Sequence, residues 1–494
     1  MHETVIERLK NWDFTKEFVV DALGGGASYS YESFFGRCLL LSENFSSYGK
    51  DRTHLVLVME NSVELLACYF GALMCGKVAS AIDPLKGEEE ICKILEGIDN
   101  PIIITDEAGC KKLHSFDIKM QTGYFHSLEP LPKAKESTIH LFANRNFDDD
   151  YLLTFTSGTS GNTKGVRHTL NNLFKTAEAF NSMFDLGPDS RFAHLMPMTY
   201  MAGILNSIFQ PFVCGASIVV LGRFSPIRAF SFWQLVAQYR INTFWLSPSM
   251  LTIILKVGNH KVGQEYCAAH KLHLFIGTAP LHLSTRQEFE KMYPVKLYAS
   301  YGLSETLYLS VETPETLALG GGNVGKLLKG VQYKFGADGE FLVDVPWMFL
   351  GYTNEHTLSY FSDNYYKTGD LAKIEGGVLS IVGRSKDLII KGGMNISPAL
   401  IEGVVASVAG VEECSVFSVL SRQKEELIVL GYTSAESAAE VEKQISTAVA
   451  QKLGKNYLID LFYKVPAIPK NINGKNDKKA LKENYLKSGF YNVG

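Results

Sequence analysis

Residues Thr154 to Val166 read Thr-Phe-Thr-Ser-Gly-Thr-Ser-Gly-Asn-Thr-Lys-Gly-Val, which gathers backbone amides, hydroxyls and one ammonium onto a single loop. Thr156, Ser157, Gly158, Thr159, Ser160 and Gly161 follow the short apolar run Tyr151 to Phe155, and Lys164 comes shortly after. Glycines let the main chain approach oxygen atoms closely, consecutive amides form a concave nest, and hydroxyls and an ammonium add charge-assisted donors. That is an anion trap, suited to a polyphosphate such as a nucleoside triphosphate. Walker A spacing is excluded, because that loop needs a lysine directly after the second of two glycines five apart, and Thr163 stands five residues after Gly158. A dinucleotide fingerprint is excluded as well, since no Gly-x-Gly-x-x-Gly follows the strand.

The elements that must hold this loop alternate along the chain. Leu55 to Met59 reads as a buried strand, and Val63, Leu66, Phe70, Leu73 and Met74 recur at helical spacing up to Gly76, a helix terminator. Ile102 to Thr105 is a further strand, and Leu170, Leu173, Phe174, Ala177 and Phe180 mark an amphipathic helix behind the loop. Ser217 to Leu221, Thr243 to Leu246, Leu272 to Ile276 and Val295 to Ala299 extend the pattern, which predicts α/β layers with parallel sheets and ligands bound at strand ends. Shorter strands around Gln332 to Phe335, Glu340 to Val345 and Leu379 to Val382 predict a small β-rich subdomain. After Lys386 the pattern restarts as a small α+β unit, so the domains are expected at 1–385 and 386–494.

Bulk properties narrow the class. A chain of 494 residues exceeds one ordinary core, and 46% hydrophobic with 20% charged residues is globular composition. Lys plus Arg total 48 against 52 Asp plus Glu, and the net charge of -4 gives no reason to expect bulk nucleic-acid binding, so no nucleic-acid partner is expected. The eight cysteines contain no Cys-x-x-Cys pair and scatter through apolar segments, which predicts buried free thiols and a reducing compartment. No basic segment and apolar core opens the chain, and the longest apolar stretch, Val63 to Cys75, is too short to span a bilayer. A cytoplasmic enzyme with no transmembrane segment is expected.

The loop string closely resembles the phosphate-binding signature of the acyl-adenylate-forming superfamily, which holds acyl-CoA synthetases, firefly luciferase and the adenylation domains of peptide synthetases. Thr163 replaces the usual proline. The resemblance continues along nearly the whole chain. Gly277, Thr278 and Ala279, followed by Pro280, resemble the family's Gly-Gly-Ala-Pro segment, whose backbone lies against adenine. Tyr301-Gly302-Leu303-Ser304-Glu305 resembles Tyr-Gly-x-Thr-Glu, which implies that Tyr301 stacks on adenine, Gly302 admits the nucleotide, Ser304 donates to a phosphate and Glu305 holds Mg²⁺. Tyr366 to Asp370 resembles Tyr-x-Thr-Gly-Asp, and Asp370 is implied to accept both ribose hydroxyls, a task for a side chain with two acceptor oxygens. Arg384 would serve the same edge, and Lys386 matches the pivot of the C-terminal domain.

Lys391, Gly392 and Gly393 match the segment that shapes the thiol tunnel in relatives, and Lys475, behind Pro469 and Gly474, matches the catalytic lysine. The stretch Pro197 to Gly203 resembles Pro-Leu-Phe-His-x-x-Gly at the mouth of the acyl pocket, with Thr199 and Tyr200 in place of the aromatic and histidine. Amino-acid-activating relatives place an aspartate near this point, and none occurs between Arg191 and Arg223. The resemblance therefore implies ATP- and Mg²⁺-dependent activation of a carboxylic acid to acyl-AMP, followed by transfer to a thiol, with coenzyme A favoured over a pantetheinylated carrier protein. A stand-alone enzyme loading such a carrier is the alternative enzyme; only 19 residues follow Lys475, too few for a fused carrier domain. A luciferase-like oxygenase would use the same residues. A non-catalytic ATP-binding scaffold is the alternative of another class, and it would have no use for Lys475.

Overall fold

The computed structural model describes residues 2–49, 53–106, 109, 113, 121–122, 131, 133–157, 163–317, 322–337, 339–353, 357–391, 394–421, 426–470 and 476–489. Two large sheets organise the N-terminal part. The seven-stranded sheet runs in the order Gly351–Tyr352, Thr163–Thr169, Asp150–Ser157, Val78–Ala81, His54–Val58, Ile102–Thr105, Gln121–Thr122. In the 14-stranded sheet, Ser217–Val220, Arg191–His194, Thr243–Leu246, His273–Ile276 and Leu297–Leu303 pair in parallel. The sheet then continues antiparallel through Leu307–Val311, Lys326–Leu327, Val378–Arg384, Tyr365–Glu375 and Glu340–Asp344.

One core cluster joins residues of both sheets to helices Tyr31–Ser47, Val63–Cys75 and Leu170–Asn181, so these helices form a layer between the sheets. Separate clusters cover the outer faces, one centred on Trp233, Leu251 and Phe289 and one on Ile91 and Ile94. Helix Val63–Cys75 is buried almost all round, as its run of apolar side chains demands. Ser62 caps its start by accepting from Leu65 N at 3.1 Å, and Gly76 ends it in a left-handed turn at φ 73°.

Sequence alternation predicts parallel sheets, and the observed sheets are mixed. The segment expected to bind phosphate is the main correction: the strands on either side of it, Asp150–Ser157 and Thr163–Thr169, are antiparallel, and the helix follows the second strand. A connection of five residues is too short for a parallel crossover, so the chain has to return as a hairpin. The segment beginning at Tyr301 likewise forms a hairpin, with a register shift between Tyr301 and Gly302.

Beyond Lys386 a hairpin of Ile389–Lys391 and Met394–Ile396 leads to a three-stranded sheet of Glu413–Leu420, Glu426–Thr433 and Leu461–Lys464. This part has its own apolar clusters, built on Ile401, Val416, Leu430 and Ile445 and on Phe417, Leu481 and Tyr485. It touches the larger part where Ser284 Oγ donates to Ala406 O at 3.2 Å and Lys256 approaches Glu412 at 3.8 Å. Seven described cysteines are free; Cys38, Cys68, Cys267 and Cys414 are buried, whereas Cys75, Cys92 and Cys214 are partly exposed. No helix among the described residues is long and apolar enough to cross a membrane.

Candidate active site

Strand Tyr365–Glu375 carries two clusters of polar side chains. At one, Asp370 lies opposite Arg384 in the ladder, and Arg384 Nε donates to Asp370 Oδ1 at 2.9 Å. Tyr301 Oη donates to the other oxygen at 2.7 Å. Asp370 is only 2% exposed, so the pairing with Arg384 and the phenol is what makes its burial tolerable. Gly369 adopts φ 72°, a conformation open to glycine, and turns the chain so that Thr368 Oγ1 reaches Phe341 O at 2.6 Å. Burial and the adjoining Asp370 charge push the Tyr301 phenol up, which keeps it a donor.

The second cluster lies four residues earlier on the same strand. Tyr366 Oη and Tyr352 Oη are 2.9 Å apart, and Tyr352 Oη donates to Glu305 Oε1 at 2.7 Å. Burial, then the Glu305 charge, raises both phenols well above their ordinary range, so both remain protonated and Glu305 is the acceptor. The same Tyr352 presents its ring face to Lys164, whose Nζ lies 5.2 Å from that ring and 4.5 Å from the ring of Tyr360. Lys164 also bonds the Tyr360 hydroxyl. One tyrosine thus ties the base of the phosphate hairpin to the carboxylate expected to hold the metal. Tyr352 and Tyr360 escape sequence reasoning, because ring sharing between segments distant along the chain has no local signal. Tyr366 stood inside a recognised string without a role.

The segment around Glu305 is fixed from behind. Phe349 N donates to Glu305 O at 3.0 Å, and fully buried His168 pairs with Ser304 O at 2.7 Å. Burial pushes the His168 imidazole down to about 4, so it is neutral and donates from Nε2. At Gly302 a Cβ would stand 2.0 Å from Leu307 O, so the close hairpin requires glycine there. Thr156 lies opposite Lys164 in the hairpin register. Ser157 is placed as backbone at the strand end, and Gly158, Thr159, Ser160 and Gly161 lie outside the described residues.

Gly277, Thr278 and Ala279 follow strand His273–Ile276, and Gly277 N donates to Leu246 O at 3.2 Å. Thr278 adopts φ 70°. A β-branched residue in the left-handed region is strained, and this one stands where the family string has glycine.

Thr199 and Tyr200 occupy the turn between strand Arg191–His194 and helix Met201–Ile204, half-buried. Asn61 clamps that turn through Met196 O at 2.7 Å and Met198 N at 2.8 Å, and a Cβ at Gly203 would meet Pro197 O at 1.9 Å. No hydrogen bond joins Thr199 or Tyr200 to the two clusters among the described residues.

The C-terminal residues stand apart. Lys386 is exposed as a whole residue, and partial desolvation of its ammonium end, then the neighbouring Arg384 charge, lowers its pKa. Lys391 Nζ is held by both oxygens of Asp460 at 2.7 Å. Gly392, Gly393 and Lys475 lie outside the described residues; Lys470 and Asn476 pair across the segment containing Lys475.

Among the described residues no group of three or more His, Cys, Asp or Glu side chains converges to hold a metal ion. A carboxylate held by the neutral phenol of Tyr352, whose ring also faces Lys164, fits a Mg²⁺ ion that draws its remaining ligands from nucleotide oxygens and water.

The chain is 26% identical to a malonate–CoA ligase of Arabidopsis thaliana, over 93% of this chain and 85% of that protein. It is 26% identical to a 2-succinylbenzoate–CoA ligase of Oceanobacillus iheyensis, over 79% of this chain and 81% of the other. Its fold matches ATP-bound MatB from Rhodopseudomonas palustris with TM-score 0.85 at 24% identity, covering 99% of this chain and 100% of that one. Residues 7–353 match the family model described as AMP-binding enzyme, and the chain belongs to that family.

Proposed function

We propose that this enzyme joins a carboxylic acid to ATP as acyl-AMP, releases pyrophosphate, and passes the acyl group to coenzyme A. The observation that carries the reading is strand Tyr365–Glu375, which places the Asp370 cluster and the Tyr366–Tyr352–Glu305–Lys164 cluster side by side. That arrangement suits a nucleotide whose ribose and polyphosphate lie along one line. Names of relatives agree, since both curated relatives described above are CoA ligases.

A carboxylate oxygen attacks the α-phosphorus, and the bond to the bridging oxygen breaks as pyrophosphate leaves. A thiol sulfur then attacks the acyl carbon, gives up its proton, and AMP departs. In this reading the 156–161 loop and Lys164 hold the β- and γ-phosphates, and Glu305 holds Mg²⁺, which when bound neutralises phosphate charge. Asp370 keeps lone pairs beyond those engaged by Arg384 and Tyr301, and these accept the ribose hydroxyls. Gly277 to Ala279 and the Tyr301 ring border adenine, Ser304 faces a phosphate, and Thr199 and Tyr200 line the acyl mouth. Lys475 stabilises charge on the carboxylate and α-phosphate. Residues 386–494 then turn about Lys386, withdrawing Lys475 and presenting Lys391 to Gly393 to the thiol. The free thiols fit a cytoplasmic enzyme.

The test is pyrophosphate exchange into ATP across a panel of acids, followed by measurement of CoA thiol consumption. Exchange with an unchanged CoA thiol titre, while a pantetheinylated carrier protein becomes acylated, assigns the acceptor to the carrier. A folded, ATP-binding protein with no exchange is the scaffold.

A further inference from the structure

The hairpin of Ile389–Lys391 and Met394–Ile396 is a sheet of its own, in which Ile389 pairs with Ile396, Ile390 with Asn395 and Lys391 with Met394. So short a two-stranded ribbon is marginal in water and needs support from elsewhere. At its base Ile389 and Ile396 are buried in the apolar cluster of the C-terminal part. Toward Gly392 and Gly393 that packing stops, since Ile390 is 61% and Met394 38% exposed. Polar anchors take over there. Glu426, which also accepts from Ser418 Oγ at 3.1 Å, accepts from Ile390 N. Lys391 Nζ donates to both oxygens of Asp460 at 2.7 Å and to Leu458 O at 3.3 Å. On the other strand, Asn456 Nδ2 lies 3.2 Å from Met394 Sδ. The two residues that flank Gly392 and Gly393 in sequence are thus both tied to the segment 456–460.

Asp460 is itself firmly seated. Its Oδ2 accepts from Ile428 N at 2.8 Å and its N donates to Ile428 O at 3.0 Å, on Glu426–Thr433, the middle strand of the three-stranded sheet. An ammonium has three donors, and all three of Lys391 have acceptors within residues 386–494, which leaves none for the phosphates of an acceptor. Side-chain exposure is 28% for Lys391 and 27% for Asp460, so the pair is partly shielded, unlike the fully exposed pairs that contribute little. Among the described residues no hydrogen bond or ion pair joins residues 389–396 to anything before residue 386. Both partners therefore lie in the unit that turns, and the hairpin geometry is set before the turn and carried through it.

We propose that Asp460 is a positioning residue for the thioester step: by holding Lys391 it fixes the backbone that residues 391–393 present to the acceptor thiol. Lys391 is then a brace for that backbone and not a ligand for the acceptor's phosphates. This assignment rests on the two-step reading above and deepens it. The hairpin meets the pantetheine end of the acceptor by shape, without regard to the charge at the nucleotide end.

The experiment uses the full chain and reads the half-reactions separately: acid-dependent pyrophosphate exchange, and conversion of acyl-AMP, made from an acid that supports exchange, to thioester. The acceptors are CoA, dephospho-CoA, which lacks the 3′-phosphate, and pantetheine, which lacks every phosphate. Asp460→Asn replaces a carboxylate by an amide of the same shape. It should lower kcat/KM of the thioester step by about tenfold with all three thiols and leave exchange at the wild-type level. Lys391→Met keeps the stem and removes the ammonium, and its loss in the thioester step should be equal for the three thiols. The double variant should be no worse than either single one, because the two residues act as a unit. A Lys391→Met loss greater with CoA than with pantetheine would make Lys391 a phosphate ligand. That result, a wild-type thioester rate in folded Asp460→Asn, or equal loss of both half-reactions in Asp460→Asn, overturns the inference and leaves the two-step reading standing. Wild-type protein that supports no exchange with any acid, with ATP bound, overturns both.

Discussion

Replacing Tyr352 by Phe removes one oxygen atom and leaves the ring that faces Lys164, so it isolates the hold on Glu305 from the seat of the lysine. Tyr352 is 7% exposed, and its hydroxyl donates at 2.7 Å to a carboxylate that titrates the surrounding phenols upward. A hydrogen bond to a charged group contributes about 1.5–3 kcal/mol. Tyr366 Oη lies 2.9 Å from Tyr352 Oη, so the single change leaves a second phenol close to Glu305 and the lower end applies. The expected loss in kcat/KM for MgATP is about tenfold, since 1.4 kcal/mol corresponds to a factor of ten. Tyr352→Phe combined with Tyr366→Phe leaves Glu305 without either phenol, and the loss should grow to about a hundredfold, with more Mg²⁺ needed for half-maximal exchange. The assay is acid-dependent pyrophosphate exchange titrated with Mg²⁺, with circular dichroism as the fold control. A folded double variant with the wild-type Mg²⁺ curve would refute the positioning role of the tyrosines.

Lys475→Ala should lower adenylation by about two to four orders of magnitude while supplied acyl-AMP is still converted to thioester; equal loss of both half-reactions, measured separately, counts against the division of labour. Thr278→Gly relieves about 1–2 kcal/mol of left-handed strain against about 0.5–1 kcal/mol of added unfolded-chain entropy, so urea unfolding should show a small gain in stability, and a loss would show that the side chain supports the fold. Buried His168 and His194 are both pushed down from 6.5 to about 4 by burial, so above pH 6.5 they contribute no pH dependence. Between pH 6.5 and about 4 the unfolded chain binds protons that the folded chain refuses, and stability falls with pH by about 3 kcal/mol per histidine. Urea midpoints at pH 7 and pH 5 check this, and His168→Gln should flatten part of the slope.

Helix Val63–Cys75 was legible because its signals are local: a serine cap, a periodic apolar face and a terminal glycine. The motif strings at Tyr301 and Asp370 were legible for a different reason, since each packs several special requirements into a few residues. Their union was not. Asp370 meets Arg384 through strand register and Tyr301 through sheet order, neither of which is encoded in any short segment. The hairpin of Asp150–Ser157 and Thr163–Thr169 was not legible, because a strand-then-helix reading passes over the short glycine-bearing strand that returns. Tyr352 carried no signal at all. Its partner Glu305 is 47 residues away, and only the folded chain brings the two together.

The central claim is tested most directly by supplying the purified protein with Mg²⁺, ATP, CoA and a broad panel of carboxylic acids, and following AMP, pyrophosphate and acyl-CoA in the same reaction. The account predicts that an accepted acid yields all three in equal amounts, and that omitting CoA leaves pyrophosphate exchange intact. Release of ADP and phosphate in place of AMP and pyrophosphate, or acyl-CoA formed with no acid-dependent exchange, would contradict it.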